Sequence, residues 1–294
     1  MASQIYPAIA DGILVGGVYA LMAVGLTLIF GVLDIINVAQ GIMVVIGGYL
    51  SYVLSVHLHI DLFLGLLITV PVMFGLGLVI HTVVIRPLRG AERTSMSLLA
   101  CFAVAIIGEG VLYAVFGADS VTLNASYVQS SFQIAGYYIT DIYVYCFLLA
   151  VALVAGIYLL LYRTRFGRAV RATMQDPVAA RLVGIDINRV AALTFGVGVA
   201  VTAAGGMAFG ATSGGFNPNS GYDLISRLLA IVILGGMGSI GGAMAAAVLL
   251  LVVNDVVAVA WSPVWSPLVF FAALVVVLSV RPAGLFGRTA VRAQ

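Results

Sequence analysis

Between residues 161 and 191 an otherwise apolar chain carries six arginines, at Arg163, Arg165, Arg168, Arg171, Arg181 and Arg189. A guanidinium offers a charged fork to carboxylate or phosphate and stays out of hydrocarbon. At about 2.5–3.5 kcal/mol each, six at a membrane centre would cost roughly 15–21 kcal/mol. This stretch therefore faces water, and by its charge it faces the cytoplasm. The other polar groups are few. Asp34, Asn37 and Gln40 recur every third residue between Gly31 and Gly41, Glu109 stands in an apolar run between Gly108 and Gly110, and five glycines fall within residues 235–242. A carboxylate deep in an apolar span and helices broken by glycine are materials of a transport path, because half-helix ends leave backbone dipoles free for a substrate. On that ground Asp34, Asn37, Gln40, Glu109, Gly235, Gly236 and Gly238 are the candidate path residues. The same residues also fit an ordinary interhelical loop at 31–41, glycines that only let helices pack closely, and a hydrogen-bonded structural glutamate.

The arginine-rich loop, about 163–189, spells out a short helix. Asp176 is a good N-cap, Pro177 suits a first helical position that has no N–H to satisfy, and Gly184 suits the left-handed residue that closes a helix. Because Pro177 disfavours helical geometry at Asp176, a helix running out of the preceding span stops near Met174 or Gln175. About two turns remain, from Pro177 to Val183. A helix that short is unstable alone, so it must dock on something larger. Val178, Ala179, Leu182 and Val183 give it an apolar face, with Arg181 on another side. Read blandly, it is a helical turn in a solvated, positively charged loop.

Positioning these groups falls to membrane helices. Of 294 residues 63% are hydrophobic and 8% charged, against about 25% charged in a soluble domain. The net charge of +2 is too small to imply nucleic acid. All 13 basic residues are arginine, and apart from Arg227 they cluster at 86–93, 163–189 and 281–292. Apolar runs near the roughly 20 residues needed to span a bilayer occur at 9–30, 35–56, 62–85, 98–117, 142–162 and 190–212, with shorter ones at 224–239, 241–260 and 264–280. The run 224–239 is short enough to be half of a re-entrant element with 241–260. Placing the three arginine clusters inside leaves the arginine-free loop 118–141 outside, the C-terminus inside and the N-terminus outside. The missing positive n-region argues against a cleaved signal peptide. The expected architecture is all-α: one polytopic membrane domain over 1–294, with about 8–9 spans including broken or re-entrant helices. The two interrupted places do not read as an inverted repeat, because their offsets within the two halves differ.

Absences narrow the chemistry. With no lysine the chain cannot form a Walker A loop or a Schiff base, and it has neither G-x-S-x-G nor H-E-x-x-H. His57, His59 and His81 lack metal-ligand spacing, and Cys101 and Cys146 give no basis for a disulfide. Asp223 and Arg227, four residues apart, read as a surface ion pair. Asp255 reads as a wet group near the outer end of its span. No catalysis or metal site is expected.

Four segments in order, GLTLIFGVLDIINVAQG (25–41), GRAVRATMQDPVAARLVGIDINRVAALTF (167–195), AIVILGGMGSIGGA (230–243) and RPAGLFG (281–287), resemble the branched-chain amino acid permease family of bacterial ABC importers. The similarity runs from about Ala10 to Gly287. It implies an inner-membrane permease, the first of two homologous permeases. It also implies a second permease, two cytoplasmic ATPases that bind the ATP and Mg, and a periplasmic substrate-binding protein as partners. The chain itself would hold no cofactor. The resemblance makes the loop around Asp176, Leu182 and Gly184 the coupling element, seated in a groove of one ATPase. Arg168 and Arg171 would flank the seat, and Pro177, Ala180 and Gly184 would shape it. The loop 118–141 would receive the binding protein. Many relatives have histidine where this chain has Gln40, so a proton-linked role there is weakened. Relatives also carry urea, short amides or aromatic acids. An ion-coupled secondary transporter using Glu109 or Asp34, or a channel, are the other classes, and both leave the Pro177 helix without a task.

Overall fold

The computed structural model describes residues 2–88, 93–123, 125, 127–128, 130–134, 137–281 and 284–287. Arg89, parts of the 118–141 loop, Pro282, Ala283, Arg288 and Arg292 lie outside the described residues. In chain order the helices are α1 (Ala2–Leu33), α2 (Gln40–Leu58), α3 (Leu62–Ile80, continued by one π turn, His81–Ile85), α4 (Arg93–Phe116) and α5 (Asp141–Arg163). There follow α6 (Arg165–Gln175), α7 (Pro177–Leu182), α8 (Ile187–Thr212), α9 (Ser220–Gly235), α10 (Ile240–Ala260) and α11 (Ser266–Val280). Among the described residues eight helical segments are long and apolar enough to cross a membrane, the last being α11 together with the turn before it, Pro263–Val280. The expected ninth span is α9, whose 16 residues reach about 24 Å, short of roughly 30 Å of hydrocarbon. The fold is thus an all-α polytopic bundle, to which the outer loop adds one small antiparallel hairpin, β1 (Ser131–Ile134) with β2 (Tyr137–Thr140).

Small residues build the centre. α1 packs most extensively on α10, and α3 and α2 pack on α8. A Cβ on Gly206 of α8 would overlap the Val44 carbonyl oxygen of α2, and one on Gly198 would stand 2.8 Å from the Gly25 oxygen of α1. With lipid offering no hydrophobic drive between helices, such backbone proximity supplies the dispersion contacts that hold them.

Two segments turn inward. Asp34 takes a left-handed φ of 55° just past α1, and residues 34–39 climb until Gln40 meets Gly198 and Thr202, half-way along α8. At the other end residues 213–219 fold back below the end of α8. Phe216 packs on Gly48 and Gly210, and a Cβ on Gly41 would overlap the Gly221 oxygen. The first turn of α9 is tied by reciprocal bonds: the Asn217 N–H donates to Ser220 Oγ and the Ser220 N–H to Asn217 Oδ1, both at 3.1 Å. α1 runs antiparallel to α8, as the Gly25–Gly198 and Met22–Gly205 contacts show. The course α1, inward segment, α2 is therefore repeated in the opposite direction by α8, inward segment, α9. This corrects the sequence expectation on offsets: the second inward break is 213–219, one helix before the glycine run.

Candidate functional site

The inward ends of α2 and α9 meet, and α4 closes one side. Val38, Ile42, Ala105, Glu109, Pro218 and Tyr222 line a shallow, open groove at this junction, with enclosed room of about 10 Å³, enough for one water. Glu109 is half-buried and shares this lining with Tyr222. The groove is far too small to enclose a ligand by itself, so this chain presents one carboxylate on an otherwise apolar open face, where it can pair with a cationic group. Tyr222 and Pro218 were missed by sequence reasoning, although the Asn217-Pro218 pair was a turn signal.

Behind the groove lies a buried polar knot. Asn37 Nδ2 donates to Gln40 Oε1 at 2.7 Å, Gln40 Nε2 donates to Thr202 Oγ1, and Thr202 Oγ1 donates to the Gly198 oxygen at 2.8 Å. Asn37 and Gln40 are 1% and 0% exposed, so they brace the break and do not face an open path. Asp34 stands apart, exposed at the end of α1. Gln40→Leu strands the Asn37 amide and should lower stability by about 1–3 kcal/mol. A fall in the unfolding temperature of the purified protein in detergent, matched by Thr202→Val and not additive with it, is the expected result.

Gly235, Gly236 and Gly238 lie away from this groove. Gly236 and Gly238 have φ of 97° and 83° and turn the chain from α9 into α10. The Leu285 N–H donates to the Leu234 oxygen at 2.8 Å, so the segment 284–287 covers the turn. These glycines permit close backbone approach at the end of the bundle where α6 lies, as Gly238 also borders Gly31 beside Met174.

At that same end the arginine-rich loop forms two helices, not one extension of the span. α5 stops at Arg163 because Thr164 turns extended (ψ 163°) and caps α6, accepting from the Gly167 N–H at 3.0 Å. α6 ends at Gln175 as expected. Asp176 Oδ1 accepts from the Val178 and Ala179 N–H groups at 2.8 and 3.0 Å, and Pro177 opens α7. At the far end Gly184 has φ 85°, and the Ile185 and Gly184 N–H groups donate to the Ala180 and Arg181 oxygens, a Schellman closure. Val178, Leu182 and Val183 are 70%, 84% and 76% exposed, whereas Ala180 is 3% exposed. Ala180 therefore anchors α7 to its own chain. Arg168 is exposed, while the Arg171 guanidinium lies 4.6 Å over the Tyr162 ring.

Arg227 is also corrected. The expected ion pair with Asp223 forms at 2.9 Å, but the Arg227 side chain is only 24% exposed, against 64% for Asp223, and it stacks 5.5 Å from the Phe270 ring. A charge on a helix inside the bundle needs such partners, and the Phe270 contact ties Arg227 of α9 to α11. Asp255 is half-buried and accepts from Asn254 Nδ2 at 3.1 Å. On the outer side Val121 and Phe216 exchange backbone bonds at 2.9 and 3.0 Å, pinning the outer loop to the 213–219 segment. The Tyr127 hydroxyl donates to Asp61 Oδ2 at 2.7 Å, and burial, then that carboxylate, push the phenol well above its usual range.

The family described as "Branched-chain amino acid transport system / permease component" matches residues 8–278. The chain is 30% identical to the high-affinity branched-chain amino acid transport system permease protein BraD of Pseudomonas aeruginosa, over 95% of each chain. It is 30% identical to LivH of Salmonella typhimurium, over 95% of this chain and 94% of that one. To LivM of the same organism it is 33% identical, over 44% of this chain and 30% of that one. No solved structure is significantly similar to it. A polytopic helical bundle with inward-turned helices, matched over nearly its whole length by such permeases, is no isolated likeness: the chain belongs to the branched-chain amino acid transport permease family.

Proposed function

We propose that this chain is the permease subunit of an ATP-driven importer in a bacterial inner membrane, moving branched-chain or related amino acids delivered by a periplasmic binding protein. The observation that carries this reading is α7: six residues capped at both ends, anchored through Ala180, with Val178, Leu182 and Val183 left in the open. So small a helix, fixed in shape and apolar outward, is built to enter a partner's groove, here that of a cytoplasmic ATPase. Catalysis and the ATP and Mg then belong to the ATPases, and this chain needs no cofactor. The full-length likeness to LivH and BraD, beside the partial likeness to LivM, supports its being the first of two homologous permeases. The segment 284–287 and the coupling loop share one end of the bundle, which supports a cytoplasmic C-terminus. The outer loop, pinned through Val121, would meet the binding protein.

The groove at Glu109 and Tyr222 would be one wall of the path, completed by the second permease. Glu109→Gln should cut uptake of labelled leucine about tenfold without changing the amount of protein in the membrane. Unchanged uptake kinetics would make Glu109 structural. Purification from native membranes in mild detergent should bring down a homologous permease and two P-loop ATPases. Recovery of this chain alone, from preparations that retain weak complexes, would refute the importer reading. Screening the co-expressed binding protein against leucine, urea, short amides and aromatic acids fixes the substrate.

A further inference from the structure

The coupling loop touches the transport bundle at a place that neither the resemblance nor the groove explains. Met174, in the last turn of α6 and two residues before the Asp176 cap, lays its thioether end on Gly31 of α1: a Cβ on Gly31 would overlap Met174 Cε. Gly238, in the turn between α9 and α10, closes the same niche, its own Cβ position lying 3.8 Å from the Gly31 Cα. Gly31 is three residues before Asp34, where the chain leaves α1 for the inward segment, and Gly238 is three residues past the end of α9. One side chain thus lies where the two broken hairpins come together at the loop's end of the bundle. The α1 backbone it meets is glycine at the contact, so any side chain at Gly31 would displace the thioether. A long, unbranched thioether can keep contact while the surfaces shift.

We propose that Met174 is a positioning residue that transmits motion of the coupling loop to the ends of α1 and α9, and so to the two inward segments that border the groove. This rests on the importer reading above. α7 is held to α6 by one cap residue, so displacement of α7 by an ATPase carries the end of α6 with it. Met174 then presses on, or withdraws from, Gly31, whose backbone borders Gly238. The close Gly31–Gly238 approach carries that motion from the first hairpin to the second, so the two move jointly, as alternating access requires.

The test uses the intact complex with its ATPases and binding protein, reconstituted in liposomes and assayed with labelled leucine. Met174→Ala should leave assembly and basal ATP hydrolysis at wild-type levels, while uptake per ATP falls about tenfold and stimulation of hydrolysis by loaded binding protein is lost. Met174→Leu, which keeps most of the volume, should retain coupling. Gly31→Ala should uncouple by displacing the thioether, and Gly31→Ala combined with Met174→Ala should recover part of the loss, the added methyl replacing lost volume. Met174→Ala with normal uptake per ATP would overturn the proposal, as would a variant that merely fails to assemble with the ATPases while Met174→Leu fails equally. A wild-type complex that transports without hydrolysing ATP would instead overturn the importer reading, a result distinguishable from either.

Discussion

Leu182→Asp is expected to reduce uptake to background while the protein reaches the membrane in normal amount. Leu182 is 84% exposed on α7 and packs on nothing in its own chain that the substitution would disturb. A large apolar side chain left outside by a helix that is otherwise fully capped is the anchor expected of an interface. Desolvating a carboxylate in the partner's groove would cost at least the 2 kcal/mol or more typical of truncating such an anchor. The readout is twofold: labelled leucine uptake, and the amount of ATPase that co-purifies. Both should fall together. Ala180 would be a poor choice for this experiment, because a bulky replacement at a 3% exposed position breaks the loop itself and says nothing of the partner. Leu182→Asp with wild-type uptake would remove α7 from the coupling surface.

The second large effect lies in the core. Gly206→Val should prevent the folded bundle from accumulating, because a Cβ there overlaps the Val44 carbonyl oxygen and stands 3.0 Å from the Gly48 nitrogen. Both obstacles are backbone, so α2 must move bodily off α8, and the inward segment and Gln40 knot move with it. The cost should reach or exceed about 3 kcal/mol, the upper range for overpacked cores. Gly75→Ala in α3 is the matched control: nothing lies within 4 Å of its Cβ position, and it should accumulate normally. Quantifying detergent-extracted, monodisperse protein for the two variants checks the contrast. Equal yields would mean that α2 and α8 do not cross as described.

How much was legible in the sequence depended on whether the signal was local. The α7 cap, from Asp176 and Pro177 to Gly184, was read correctly because every determinant lies within nine residues and acts through backbone geometry. The spans were read well because hydropathy over 20 residues is a local sum, and the run 224–239, read as short enough for a re-entrant half, is not among the eight that can cross. What could not be read was which face of a polar residue turns inward. Asn37 and Gln40 carry the same polarity whether they line a path or knot α2 to Thr202, and only the packing of α8, over 150 residues away, decides. The second inward segment was missed for a related reason. The glycine run 235–242 is the louder signal, yet it serves a close turn covered by residues 284–287, while Asn217 and Pro218 make the real break with two residues of ordinary loop composition. That Ala180 and the Arg227 side chain are buried could not be read, because burial on a loop helix or a half-helix leaves no mark in composition.

ATP dependence of import is the most direct test of the account. The complex containing this chain, reconstituted in liposomes with loaded binding protein outside and ATP enclosed, should accumulate labelled leucine only when ATP is present, with proton and sodium gradients collapsed by ionophores. Uptake that proceeds without ATP and follows an imposed proton or sodium gradient would contradict it.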